Sequence, residues 1–371
     1  MNKQSQEIPF FSFTLAPEEL KQKWTNAMQG VMIKGHFILG DEVRKFEKAW
    51  AQGNGNQYAV GVSNGQDGLI LALRALGVGT GDVVVVPAHS FIATHNAVIS
   101  LGATPYSVDV DNQGLLTSLT LENLGFIPKA VIVVHMHGQM CEMKEIVSWA
   151  KTKNVYLIED CSQAHFAKSN GKNSGTLGDI GVFSLYPTKN LGALGDAGVV
   201  VTNHVHLHDK LRSLTNYGST PGNKYEHKSF GLNNRLDEIQ AAILNVNLQF
   251  LEQWNQRRRE IANLYFDGLC ESKIRFLQKN LKENVWHHFC ILHPQRDTLK
   301  SRLLEMGIQT EIHYPNVASI ECEKYSNLEE GEYPEATCIS MQTLSLPISQ
   351  WHSDSDIETV IRSVRKVLSE I

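Results

Sequence analysis

Phe183-Ser184-Leu185-Tyr186-Pro187-Thr188-Lys189-Asn190-Leu191-Gly192-Ala193-Leu194-Gly195-Asp196-Ala197-Gly198 links two apolar runs, Ile180–Ser184 and Val199–Thr202. Both runs are continuous rather than alternating, as strands covered on both faces require. Between them, Asn190, Gly192, Gly195 and Gly198 make a compact turn that can hold the Lys189 amine inward from a strand edge. A lysine taken alone is ordinarily a solvated surface residue. One held in such a turn loses water, so its pKa falls and the neutral, nucleophilic amine becomes accessible.

Upstream, Ile158-Glu159-Asp160-Cys161-Ser162-Gln163-Ala164 places Asp160 where another apolar run ends. That is the carboxyl edge at which open α/β sheets bind ligands. On its own Asp160 serves equally well as an ion-pair partner or a helix cap. Paired with Lys189 it supplies what a pyridoxal phosphate site needs, a lysine for the Schiff base and a carboxylate for the pyridinium nitrogen. Gln163 can then reach the ring's phenolic oxygen and Phe91 can stack on the ring, although an ordinary loop contact and a core phenylalanine are the plain alternatives. For the phosphate, Ser63-Asn64-Gly65-Gln66-Asp67-Gly68 lies between a strand and a helix, where backbone N–H groups favour an anion, and Ser184 adds a hydroxyl. Gly77-Val78-Gly79-Thr80-Gly81 follows a helix instead and reads as a turn.

The surrounding pattern is that of a large α/β protein. Tyr58–Val62, Val83–Val86, Tyr106–Val110, Ala130–Val134, Val155–Ile158, Ile180–Ser184 and Val199–Thr202 read as about seven strands of a mostly parallel, doubly wound sheet. Leu69–Leu76 and Met143–Lys151 have helical spacing between them. Beyond Asn203 the spacing predicts a helix over His208–Leu214, a long loop over Asn216–Lys228 and one long helix over Leu236–Arg259. A smaller α+β region follows, with a strand at Phe289–Leu292 and helices at Thr298–Met306 and Asp354–Leu368. We expect a large domain over residues 1–250, a small one over 251–371, and the N-terminal segment joining the small one. His204-Val205-His206-Leu207-His208 alternates as on a strand end, a pattern that by itself suggests no metal site.

Composition narrows the class. The 371 residues carry a net charge of −5, which argues against nucleic acid or an anionic membrane as partner. Cys141, Cys161, Cys270, Cys290, Cys322 and Cys338 are scattered without CxxC pairs, a usage suited to a reducing cytoplasm. Met1–Ile8 lacks the apolar core of a signal peptide, and no apolar run approaches the roughly 18 residues of a membrane span.

Together these residues resemble the DegT/StrS family of sugar aminotransferases, with an aspartate aminotransferase-like fold (fold type I). The resemblance covers nearly the whole chain, from Gly35-His36-Phe37-Ile38-Leu39-Gly40 through Gly102-Ala103-Thr104-Pro105, His135-Met136-His137-Gly138-Gln139 and Gly231-Leu232-Asn233-Asn234-Arg235 to Ile312-His313-Tyr314-Pro315 and Leu344-Ser345-Leu346-Pro347. It implies pyridoxal 5'-phosphate as cofactor, with Lys189 as Schiff-base lysine and proton shuttle, Asp160 on the pyridinium, Gln163 on the phenolic oxygen and Phe91 on the ring. Gly65, Gln66 and Ser184 would hold the phosphate, joined by Asn233 from a neighbouring subunit, which implies a homodimer with shared active sites. Tyr186, Tyr217, His313 and Tyr314 are the implied substrate-binding residues.

Two departures refine the reading. The family's phosphate loop usually has Gly-Thr where this chain has Gly65-Gln66, and tyrosines often flank the asparagine where this chain has Leu232 and Asn234. The first is similar to enzymes that aminate the C3 keto group of dTDP-linked deoxysugars. The expected reaction is therefore transfer from L-glutamate to a dTDP-linked 3-oxo-6-deoxyhexose, giving a 3-amino-3,6-dideoxyhexose for a surface polysaccharide such as an O-antigen, or for a glycosylated natural product. The alternatives are a transaminase of a UDP-linked 3-oxo uronic acid or a 4-keto sugar, and a non-catalytic sensor on the same fold. Related dehydratases carry histidine at the Lys189 position, which weighs against a lyase.

Overall fold

The computed structural model describes residues 7–220, 223–279, 282–323 and 331–371. Residues 1–6 of the polar N-terminus and residues 221–222 of the expected 216–228 loop lie outside that set. Seven strands form the central sheet: β1 (Tyr58–Val62), β2 (Val83–Pro87), β3 (Thr104–Val108), β4 (Ala130–Val134), β5 (Tyr156–Asp160), β6 (Ile180–Ser184) and β7 (Gly198–Thr202). Their order is β1-β7-β6-β5-β4-β2-β3, parallel except that β7 runs against both its neighbours. The expected mostly parallel seven-stranded sheet is present, and the reversed strand is what places the lysine. Because β7 is antiparallel, the 185–197 connection leaves and re-enters the sheet at one edge, where Ser184 pairs with Gly198. Asp160, level with Val134 and Val182, ends β5 at the same edge.

Side chains alternate across the strands with the period of two that a pleated sheet imposes. Ile180, Val182 and Val200 join one core, shared with α3 (Gly65–Ala75), α4 (Ala93–Ile99), α5 (Met143–Lys153) and α6 (Val205–Leu214). Phe183, Val199 and Val201 face the other, shared with α1 (Glu18–Lys34), α2 (Asp41–Asn54) and α7 (Glu238–Asn247). Glu238 ties the second layer together by accepting from the N–H groups of Glu42 and Val43 in the first turn of α2. A carboxylate there answers orphan donors and the positive end of the helix.

A third core surrounds the three-stranded sheet of β8 (Arg275–Phe276), β9 (Phe289–Leu292) and β10 (Thr343–Leu346). It is covered by α8 (Leu251–Leu269), α9 (Arg296–Glu305) and α10 (Asp354–Leu368), and Ile8 joins it through a bridge to Ile308.

Several boundaries differ from the sequence expectation. The single helix expected over Leu236–Arg259 is broken by a 3-10 turn at Leu248–Phe250 between α7 and α8. The apolar period runs on through the break, so it could not mark it. The expected Asn216–Lys228 loop contains a short antiparallel pair, Ser219–Thr220 with Asn223–His227. His206 and His208 lie in the first turns of α6 rather than on a strand, so the alternation there has no structural meaning. Strand β5 runs two residues beyond the apolar run, because buried Glu159 accepts from the N–H groups of Gly175, Leu177 and Gly178 and pairs with His135 at 3.0 Å.

Arg258 on α8 joins the layers at a place with no carboxylate partner among the described residues. Its guanidinium, 1% exposed, donates to the carbonyls of Trp286, His287 and Ile348 and to Gln350. Burial pulls its pKa down to about 9. Replacing it strips donors from buried carbonyls and opens a cavity. Arg258→Ala should lower stability by about 3 kcal/mol, read as a fall in thermal midpoint; a loss under about 1 kcal/mol would show the contacts to be ornamental.

Candidate active site

The carboxyl edge of the sheet opens into a cavity of about 510 Å³. Its walls carry Gly65, Gln66, Phe91, Asp160, Gln163, Ser184, Tyr186, Lys189, His313 and Tyr314, so ten of the residues singled out from sequence converge there. Tyr217 and Asn233 do not line it. Asn233 bridges to Asn216, and Tyr217, with a positive φ of 59°, lies 5.6 Å beneath the guanidinium of Arg235.

The lysine loop is held from inside. Lys189 N–H donates to Tyr186 O at 2.9 Å, and Ala193 N–H to Leu185 O at 2.9 Å. A Cβ at Gly192 would lie 2.2 Å from Pro187 O, so only glycine allows this turn. His165 clips the loop to the strand: one ring nitrogen donates to Ser184 O at 2.9 Å and the other accepts from Leu191 N–H at 3.0 Å. Lys189 keeps a partial opening to the cavity but is otherwise enclosed by protein. Loss of water lowers its pKa to about 8, against the opposing pull of Asp160. The amine is thus available in neutral form near physiological pH.

Asp160 is 6% exposed and fixed by Ser162 N–H at 3.1 Å, with the Thr94 hydroxyl 3.5 Å from its other oxygen. Gln163 accepts from His137 N–H at 2.7 Å and donates to Tyr314 Oη at 2.9 Å, which orients its amide. Asn64 caps α3 by accepting from Asp67 N–H at 2.9 Å, leaving the first turn of the helix on the cavity. A Cβ on Gly65 would meet the Ser184 Cβ at 2.7 Å, so helix terminus and serine form one cradle that a larger residue would fill. Helix N–H groups, a hydroxyl, an amine and a facing carboxylate are the groups that a phosphorylated pyridine aldehyde requires, the carboxylate as acceptor. The residues fit that group.

The wall also holds histidines that the sequence reading missed. His287 and His288 line the cavity at the entry to β9. His288 stacks on His313 with ring centroids 3.7 Å apart, and its Nδ1 is 3.2 Å from His137 Nδ1. His137 in turn lies 3.5 Å from His89, Nε2 to Nε2. No local period or motif announces His287 or His288, which meet the other rings only through the tertiary fold.

Burial holds these imidazoles neutral: His89 falls to about 4, His165 and His313 to about 3, and His137, His287 and His288 well below the ordinary value. Their unfolded pKa is about 6.5, so below that pH the unfolded chain binds protons that the native chain refuses. The stabilising contribution is whole above pH 6.5 and is lost as pH falls toward 4. The melting temperature should therefore hold between pH 8 and 7 and fall by at least about 10 °C between pH 6.5 and 5, in a thermal scan across buffers. A flat profile would mean that the histidines protonate in place.

Comparison with known proteins agrees with this geometry. Residues 18–365 match the DegT/DnrJ/EryC1/StrS aminotransferase family. The chain is 41% identical to the dTDP-3-amino-3,6-dideoxy-alpha-D-galactopyranose transaminase of Aneurinibacillus thermoaerophilus, over 97% of this chain and 99% of that protein. It is 37% identical to the dTDP-3-amino-3,4,6-trideoxy-alpha-D-glucose transaminase of Streptomyces venezuelae, over 97% and 96%. The crystal structure of S. venezuelae DesV in complex with a ketimine intermediate superposes with a TM-score of 0.93 at 37% identity, covering 98% of this chain and 99% of that one. Fold, cavity and similarity agree: the chain belongs to the DegT/DnrJ/EryC1/StrS family and is an aminotransferase.

Proposed function

We propose that the protein moves the amino group of L-glutamate to C3 of a dTDP-linked 3-oxo-6-deoxyhexose, yielding dTDP-3-amino-3,6-dideoxyhexose and 2-oxoglutarate, with pyridoxal 5'-phosphate bound in the cavity. The observation that carries the chemistry is the convergence of Lys189 and Asp160 on one cavity beside the Gly65–Ser184 cradle. The choice of sugar rests on two relatives, both named as dTDP-3-amino-sugar transaminases. Such a product suits a surface polysaccharide or a glycosylated natural product.

The bound cofactor supplies the electron sink that acidifies the carbon bearing the amino group. The protein's groups do the rest. Lys189 anchors the cofactor, then takes the proton from the glutamate α-carbon and returns one at C3 of the sugar. Asp160 would keep the ring nitrogen protonated, Gln163 would meet the phenolic oxygen and Phe91 would cover the ring. The Gly65 and Gln66 amides and the Ser184 hydroxyl would hold the phosphate. Tyr186, His313 and Tyr314, which line the cavity, would contact the sugar nucleotide, whereas Tyr217 lies outside it.

Asn233 completes the phosphate site of a neighbouring protomer in a homodimer. Its position outside its own cavity supports this, as do the exposed Ile33, Phe37 and Phe230 at 87%, 46% and 75%.

The test is turnover of the cofactor-loaded protein with L-glutamate and dTDP-3-oxo-6-deoxyhexose, following the amino sugar by mass spectrometry. We expect one 2-oxoglutarate per amino sugar, and kcat/KM at least about tenfold below this for a UDP-linked 3-oxo uronic acid. Preference for the uronic acid would replace the sugar assignment. Lys189→Ala should lose about 10³-fold or more in kcat, and full turnover by that variant would sink the mechanism. Gly65→Ala should weaken retention of the cofactor about tenfold on dialysis, because its methyl meets Ser184; unchanged retention would move the phosphate elsewhere.

A further inference from the structure

Ser345 lies fully buried in β10, and its backbone is held from both sides. It stands opposite Cys290 across the antiparallel β9–β10 ladder, so the two side chains share a face. On its other edge, Ser345 N–H donates to Glu311 O at 2.7 Å and Glu311 N–H to Ser345 O at 3.2 Å. The hydroxyl is therefore delivered to one place. Two groups meet it there, His313 Nδ1 at 2.9 Å and Cys290 Sγ at 3.3 Å.

The direction of these bonds follows from the chemistry of the three groups. A serine hydroxyl has one hydrogen to give, and a buried one has to give it. An imidazole nitrogen is a good acceptor and a thiol sulfur a weak one. Burial keeps the Cys290 thiol protonated, with its pKa pushed up to about 12, so the sulfur has a hydrogen of its own to donate. The hydroxyl hydrogen goes to His313 Nδ1, and the thiol hydrogen goes to Ser345 Oγ. Burial also holds the imidazole neutral. A neutral ring that accepts at Nδ1 carries its hydrogen on Nε2.

The plane of that ring is fixed separately. His288 stacks on it with centroids 3.7 Å apart and planes 14° from parallel, and His288 is itself held 3.2 Å from His137, Nδ1 to Nδ1. The stack sets the tilt of His313, and the serine sets its rotation within the plane. Among the described residues none bonds His313 Nε2, and the ring lines the cavity with Lys189.

We propose that Ser345 is a positioning residue for the amino acceptor: it holds His313 with Nε2–H as a donor to an oxygen of the bound sugar. The inference rests on His313 contacting the sugar nucleotide, as proposed above. A neutral donor suits an uncharged keto or hydroxyl oxygen, whereas the carboxylates of glutamate are held more strongly by a charged one.

The two half-reactions of the cofactor-loaded enzyme separate this role from a merely structural one. Ser345→Ala should lower kcat/KM for the sugar half-reaction about tenfold and leave the glutamate half-reaction within about twofold. Cys290→Ala should leave both within about twofold. In a His313→Phe background, which keeps a ring to stack, S345A should cost nothing further, because the two residues act as one unit.

A second readout needs neither turnover nor a serine variant. The full-length protein is labelled with 15N-histidine, and the ring signals of His313 are identified by their loss in H313F. Their nitrogen shifts should place the hydrogen on Nε2 in the wild type and in C290A.

A hydrogen on Nδ1, equal losses in the two half-reactions, or an S345A cost undiminished in H313F would overturn the proposal. The expected nitrogen shifts in a chain that does not turn over dTDP-3-oxo-6-deoxyhexose would remove the sugar assignment and leave the placing of His313 by Ser345 standing.

Discussion

Ser184 pairs with Gly198 across the antiparallel β6–β7 ladder, and the site depends on that pairing. A parallel β7 would need its connection to cross the sheet, and the residues after β6 would leave the carboxyl edge. The reversal keeps the whole 185–197 segment at one end of the sheet, within reach of Asp160 on the adjacent strand. Close contact enforces the geometry, since a Cβ on Gly198 would lie 2.8 Å from the Asn64 carbonyl. One glycine therefore brings the lysine hairpin against the turn that starts α3, and phosphate cradle and amine become neighbours.

Holding a lysine there sets desolvation against attraction. Burial alone drives the amine toward neutrality, and the carboxylate alone would keep it charged. The balance lies near pH 8, where both forms are populated and the group can act as nucleophile and as proton carrier. Such a balance survives only if the surroundings are rigid and carry no further charge. His165, Asn190 and Asn255 meet that need with neutral hydrogen bonds that join the strand end, the loop and α8. A network of this kind is stable in a dry interior because its donors and acceptors are matched.

Lys189, Asp160, Gln163 and Ser184 were legible in the sequence because each lies within five residues of an apolar run that ends at the binding edge. Their chemistry could be read along the chain. His287 and His288 were not, since a pair of histidines before a short strand carries no period and no spacing. Their meaning comes from Asn190 and His137, about 100 and 150 residues away in sequence. The break between α7 and α8 was hidden for the opposite reason, as a continuous apolar stripe passes through a 3-10 turn without interruption. Tyr217 and Asn233 were named from resemblance rather than from any local signal, and a single chain does not bring them to the cavity it forms.

The cavity wall is drawn from two cores that the chain builds separately, and their junction decides how firmly the site is held. On one side stand the β4–β6 edge and the lysine loop; on the other, the 285–288 and 313–314 segments next to the third core. Such a seam would ordinarily be free to slide, because apolar contact has no direction. Here it is locked by directional contacts: Gly138 against Trp286, Asn190 to Val285, and Gln163 to Tyr314. Two of these bonds start from residues beside or within the proposed cofactor site. Any relative displacement of the two sides must therefore distort the immediate surroundings of Lys189 and Asp160, and the seam gains its rigidity from the same polar groups that organise the chemistry.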